Sequence, residues 1–187
     1  MAWVLRAAAA GLCALALLPR PAASGPAHDP CAGFAWDVRR ERALFAGDAR
    51  DLAAGRKAAA APALATGQLY ELELSAQPEV SFVAPPGKVW RAEATYAGLA
   101  TLSVTAAGVY RIALDQAAWV DVIAHGVAIR ARDHQGRPGC SAPHKIVEFE
   151  LPAATPLVLQ FSGAVTPSMR ITVSRAPASA APPRARG

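Results

Sequence analysis

The amino-acid sequence predicts a mainly β protein: an antiparallel β-sandwich or jelly roll of eight or nine strands, preceded by a helical segment. Three observations carry this expectation. From residue 67 onward the apolar residues recur with a period of two instead of the helical period. Turn signals rich in glycine and proline separate short apolar runs at 8–12-residue spacing in that region. No stretch there has the length and helical pattern of the crossover that parallel strands require.

The elements follow in order. Residues 1–24 read as a secretory signal: Arg6 supplies a positive start, residues 7–18 form an uncharged apolar run, and Pro19, Arg20 and Pro21 break it. Ala22, Ala23 and Ser24 supply the small residues of a cleavage site, and a second cut falls after Ala27. The apolar run is shorter than the roughly 20 residues of a membrane-crossing helix, and no second run could span a bilayer. Lipidation is not expected, because Leu12 precedes Cys13 where a small residue belongs. The mature chain is therefore expected to be periplasmic or secreted, with no transmembrane segment.

Residues 25–66 are expected to form an N-terminal helical segment and linker. Over 34–55, Asp37 caps a helix with Arg40 and Glu41 in its first turns, and Trp36, Leu44 and Phe45 give it an apolar side. Gly47 interrupts it, Asp48 caps a second short helix over 49–54, and Gly55 stops that. Residues 56–66 are mostly alanine with Pro62 and no large apolar face, which favours a linker. The sandwich is then expected over 67–175. Nine strands are placed at 68–74, 80–83, 99–105, 109–114, 119–123, 127–132, 145–151, 157–162 and 169–174, with a weaker strand pattern at 90–96. His125 and Gly126 make a tight turn, and 133–144 reads as a polar loop. Residues 176–187 form a Pro/Ala/Arg tail that cannot bury enough surface to fold.

Charge excludes one class of partner. The chain has 187 residues and a formal charge of +5. Without Arg6 and Arg20 it keeps 17 basic residues against 14 acidic ones, and Arg184 and Arg186 lie in the tail. The folded part is nearly neutral and has no basic stripe with interleaved aromatics, so nucleic acid is not an expected partner. Of three cysteines, Cys13 leaves with the signal. Cys31 and Cys140 are then the one pair available in an oxidising compartment. A bridge would tie the mature N-terminus to the late polar loop and stabilise by about 4–5 kcal/mol on loop-closure entropy. The other readings of the pair are free thiols or metal ligands, although a spacing this long matches no zinc motif.

Chemistry-bearing residues converge on one end of the expected sandwich. His125, His134 and His144 flank the polar loop and could ligate zinc or iron, yet no H-x-H or H-E-x-x-H spacing joins them, and Arg132, Arg137 and Lys145 oppose a dication. No G-x-S-x-G elbow, phosphate loop or cofactor motif is present, and Glu71 and Glu73 should share an exposed strand face. Period two places Trp119, Asp121 and Ile123 on one face of their strand and Val120 and Val122 on the other. Both faces are apolar, so the strand is expected to be central and Trp119 part of the core. A buried Asp121 then needs a partner, Arg111 or Lys145, as an ion pair or as the polar floor of a ligand pocket.

These residues also carry a resemblance. Cys31, Phe34, Trp36, Glu41 and Phe45, then Tyr110 to Leu114, Trp119 with Asp121, the loop 134–140, and 157–163 resemble a small exported proteobacterial family of unknown role. Its members often carry the label homogentisate 1,2-dioxygenase. That label implies iron held by two histidines and a glutamate in a cupin, and this sequence offers no close histidine pair to match. The strand pattern is also similar to the sandwich appended to secreted peptidases. The expectation is an exported, non-catalytic binding module without a cofactor. Its partner is a periplasmic protein, a glycan or a small ligand, met by Trp119, Asp121, His134, Arg137 and Lys145. The alternative is a metal-dependent, dioxygenase-like enzyme using His125, His134 and His144.

Overall fold

Strands that alternate apolar and polar residues must cover one face, and here two sheets cover each other. The computed structural model describes residues 29–88 and 95–177. The expected signal, nearly all of the tail and most of the strand expected at 90–96 lie outside those residues.

Twelve strands appear among the described residues: β1 (Arg50–Ala53), β2 (Ala63–Leu64), β3 (Leu69–Glu73), β4 (Ser75–Ala76), β5 (Tyr96–Leu102), β6 (Gly108–Leu114), β7 (Trp119–Ala124), β8 (Val127–Ile129), β9 (Ala131–Gly136), β10 (Lys145–Leu151), β11 (Leu157–Ala164) and β12 (Ser168–Arg175). The first sheet runs β1-β3-β12-β6-β10-β9, and the second runs β2-β5-β11-β7-β8 with β4 added beside β5. The central strands, β3-β12-β6-β10 facing β5-β11-β7-β8, stand in jelly-roll order. Between the sheets lie Leu72, Ile112, Leu114, Phe149, Leu159, Phe161, Met169 and Ile171, all buried.

The count exceeds the expected eight or nine for identifiable reasons. Residues 49–54, expected as a helix, include β1, which pairs parallel with β3 from Arg50↔Tyr70 to Ala53↔Glu73. The alanine-rich linker supplies β2, paired parallel with β5. The run expected over 127–132 is two strands in different sheets, and β9 continues to Gly136 inside the expected polar loop. Residues 80–83 form no strand. There the backbone lies over the outer face of the second sheet, where Gln160, 1% exposed, satisfies it. Its Oε1 accepts the N–H groups of Val83 and Ala84 at 2.6 and 3.0 Å, and its Nε2 donates to the Ala84 carbonyl at 3.1 Å.

The turn at His125-Gly126 joins β7 to β8 as a two-residue hairpin, with φ of 50° and 79°. Positive φ at both positions is the primed turn that matches the twist of paired strands. After β8 the chain changes sheets, so β8 edges one sheet and β9 the other.

The N-terminal segment covers the outer face of the first sheet. Its helix α1 (Arg39–Phe45) is much shorter than the expected 34–55, and it turns Glu41 and Phe45 inward, one turn apart. Val38 and Phe45 pack on Leu69, Ala113 and Ile146, with Phe34 and Trp36 at the margin. Arg170 closes the helix end, donating to the Phe45 carbonyl at 2.6 Å with its guanidinium 5.4 Å from the Phe45 ring centre. Cys31 and Cys140 form a disulfide, with Cα atoms 4.9 Å apart, that fastens the segment to the loop after β9.

Charged groups lie beneath α1. Arg111 (5% exposed) sits on β6 opposite Glu148 on one side and Ser174 on the other. Its Nε donates to Glu148 Oε1 at 2.9 Å and its Nη1 to the Asp37 carbonyl at 2.7 Å, while Trp36 lies 4.8 Å from the guanidinium. Glu41, fully buried, accepts from Ser174 Oγ at 2.6 Å. Its other oxygen makes no hydrogen bond among the described residues and faces Arg111 Nη1 at 3.7 Å.

The N-cap of α1 is Val38, which has no side-chain cap, and not the expected Asp37; one residue earlier, Asp37 accepts the Arg39 N–H at 3.1 Å and holds the Arg39 guanidinium. The Arg39 side-chain hydrogen bonds, then its backbone N–H, lower the Asp37 carboxyl from 3.8 to about 2. A carboxylate lowered in the folded state stabilises fully above its ordinary value and loses that contribution as pH falls from 3.8 to about 2. Asp37→Asn should therefore be less stable than the parent at neutral pH, and the gap should close below about pH 2. Urea unfolding curves across that range check this; a gap independent of pH would contradict it.

Candidate ligand-binding cleft

Side-chain alternation on β7, β9 and β10 builds the site. On β10, Ile146 faces outward into the N-terminal layer and Val147 faces inward into the inter-sheet core. Lys145 shares the inward face of Val147, two residues away. On edge strand β9, His134 stands opposite Val147 and Gly136 opposite Lys145. From the other sheet, Val120 at the start of β7 faces inward toward them. At this end of the sandwich is a pocket of about 310 Å³. Trp119, Val120, Lys145 and Val147 line it, with His134 and Lys88 also bordering it. Ala117, Ala118 and Ala131 complete the lining without filling it.

Lys145 is the polar centre of the cleft. Its Nζ donates to the Ala118 carbonyl at 2.9 Å and lies 5.0 Å from the centre of the Trp119 ring, within cation–π range. Burial pushes its pKa below the ordinary 10.5, the nearby Lys88 charge pushes it further, and Asp121 opposes both. For a lysine this sign means that folding stability rises with pH in the window between the lowered value and 10.5, because there the unfolded chain holds more protons.

Asp121 supports the wall of the cleft. It accepts from the Trp119 indole Nε1 at 2.8 Å and from the Gly87 N–H at 3.1 Å, fixing the ring plane and the end of the 81–88 segment together. Gly87 is needed for this approach: a Cβ there would meet Asp121 Oδ1 at 2.8 Å and the indole nitrogen at 2.9 Å. The hydrogen-bond partners of Asp121 are thus not the expected Arg111 or Lys145. Arg111 belongs to the other sheet and pairs with Glu148. Lys145 acts on Asp121 through its charge, with its hydrogen bond spent on Ala118. Trp119, expected in the core, is half-buried and forms the cleft wall. Its strand does have neighbours on both sides, β11 and β8, as both apolar faces implied.

The remaining candidates separate. Arg137 is absent from the cleft lining; its guanidinium lies 5.6 Å from the Phe34 ring centre and packs the N-terminal segment onto the disulfide loop. His125 occupies the β7–β8 turn, about 20 Å from Trp119 by the rise of a strand. His144 turns its Nδ1 to the Cys140 carbonyl at 3.2 Å. Among the described residues, no three side chains of His, Cys, Asp or Glu stand where they could hold one metal ion. Glu71 and Glu73, expected to share an exposed face, differ in exposure: Glu73 is exposed, whereas Glu71 is partly covered and accepts a hydrogen bond from Ser168 Oγ at 2.5 Å.

Sequence reasoning missed Lys88, Val120, Val147 and the three alanines as lining residues. The alternation of Lys145 and Val147 was a usable signal, since it put an ammonium group on an inward face. No protein family, no curated protein and no solved structure matches this chain. Among the described residues, no helix is long and apolar enough to cross a membrane.

Proposed function

We propose that this chain is an exported, periplasmic or secreted β-sandwich that binds a small ligand in the cleft lined by Trp119, Val120, Lys145 and Val147. The observation that carries the reading is the cleft itself: a half-buried ammonium group and an indole wall over an apolar floor of Val120 and Val147. Its volume lies at the small end of ligand sites, which span roughly 300–1,000 Å³. That favours a small molecule over a protein surface or an extended glycan. The leader-like residues 1–24 and the Cys31–Cys140 disulfide support export, because such bridges persist in oxidising compartments.

A plug in the cleft tests the reading. Ala131 is exposed on edge strand β9 and borders the pocket, so Ala131→Trp fills the entrance at a position where an aromatic suits a strand. A thermal-shift screen of small molecules should yield compounds that raise the melting temperature of the parent and leave the plugged variant unmoved. Compounds that stabilise both equally would place binding elsewhere and overturn the proposal.

A further inference from the structure

The chemistry of the cleft lining narrows the ligand class, an inference that rests on the binding reading above. Two cationic side chains, Lys145 and Lys88, border the cleft, and His134 stands beside them. Among the described residues no carboxylate lines it. Asp121, whose charge acts on Lys145, has its oxygens engaged by the Trp119 indole and the Gly87 N–H. Among the described residues Lys145 makes one hydrogen bond, to Ala118, and an ammonium group has three donors. The other two are available to an acceptor entering the cleft.

The rest of the lining is apolar. A ligand seated against Lys145 would place its body over Val120 and Val147 and against the Trp119 ring. Such walls cannot satisfy the hydroxyls of a sugar, whose buried polar groups would each lose their hydrogen bonds to water. A phosphate dianion would need several converging donors, usually backbone N–H groups, and the cleft presents side-chain ammonium groups instead. A carboxylate needs fewer donors, and an ammonium–carboxylate hydrogen bond in a partly dry site is among the stronger ones.

We propose that the cleft binds a small organic monocarboxylate, its carboxylate on Lys145 Nζ and its apolar body between Trp119, Val120 and Val147. Lys145 is the specificity-determining residue, and Lys88 adds long-range attraction for the anion.

Calorimetric titration of the oxidised protein with hexanoate and benzoate, each against its neutral amide, tests this. Both or either acid should bind at least tenfold more tightly than its amide. Lys145→Met keeps most of the apolar stem and should erase that preference. Should the methionine variant fail to fold, Lys88→Gln at an exposed position should weaken the acid severalfold at low salt and less at high salt. Amides that bind as tightly as acids, or acids that bind Lys145→Met unchanged, would overturn the inference. So would a screen whose cleft-dependent binders are all neutral, and that result would leave the cleft itself as the binding site. Acids that bind the Ala131→Trp plug as well as the parent would overturn both.

Discussion

Replacing Arg111 with methionine is expected to destabilise the protein by about 3–5 kcal/mol, the usual cost of removing one partner from a buried ion pair. Arg111 is 5% exposed, and its guanidinium is the counter-charge for Glu148 at 2.9 Å and Glu41 at 3.7 Å. Glu41 suffers most from its loss, because one of its oxygens makes no hydrogen bond among the described residues and faces the arginine's charge. The Asp37 carbonyl would also lose its donor, and with it the start of α1. A double-mutant cycle separates these effects. Adding Glu41→Gln to Arg111→Met removes the orphaned charge and should recover a substantial part of the loss, whereas Glu41→Gln alone should be destabilising. Urea unfolding of the four proteins measures the coupling, and strict additivity would show that the ion pair is not what holds the segment down.

The second large effect is expected from the disulfide. Cys31→Ala with Cys140→Ala opens a loop spanning 109 residues, and loop-closure entropy puts the loss at about 4–5 kcal/mol, within the 2–5 kcal/mol typical of such bridges. The loss should have a local signature as well. Residues 29–36 form no regular element, so they should exchange amide protons and become open to proteases first. The jelly-roll strands should stay protected until global unfolding. Hydrogen exchange of the oxidised and cysteine-free proteins distinguishes this from a uniform weakening, which would contradict the staple's local role.

The strands with strong period-two alternation were legible in the sequence, because each is buried on one face by the opposite sheet. Residues 109–114 and 145–151 became β6 and β10 with boundaries shifted by no more than one residue. The Cys31–Cys140 pairing followed from elimination once Cys13 was assigned to the signal. What was not legible depended on partners distant in the chain. Residues 49–54 have good helix formers, but β3 offers an unsatisfied edge, and pairing with it overrides propensity. Edge strand β9 is nearly all exposed, so Ala131 to Gly136 show no apolar alternation to read. The segment 80–83 looked like a strand because Val80 and Phe82 pack on the outer sheet face, yet Gln160, far along the chain, takes its backbone hydrogen bonds.

The same division holds at the site. Trp119, His134 and Lys145 were identifiable because their residue types and faces pointed to one end of the sandwich. Asp121 was read as a buried carboxylate needing Arg111 or Lys145, but its hydrogen-bond donors are its own strand neighbour and a glycine backbone, which no spacing rule suggests. Arg137 looked like a site residue because its loop is polar, yet it is drawn to Phe34 by the fold of the N-terminal segment.

An amide-shift titration of the isotope-labelled, oxidised protein with benzoate or the best compound from the screen decides whether the cleft is where ligand binds. Saturable shifts are expected to concentrate at Ala117 to Val120, Ala131 to His134 and Lys145 to Val147, and to be absent in Ala131→Trp. Saturable shifts centred on the outer sheet faces or the disulfide loop, with the cleft amides still, would contradict it.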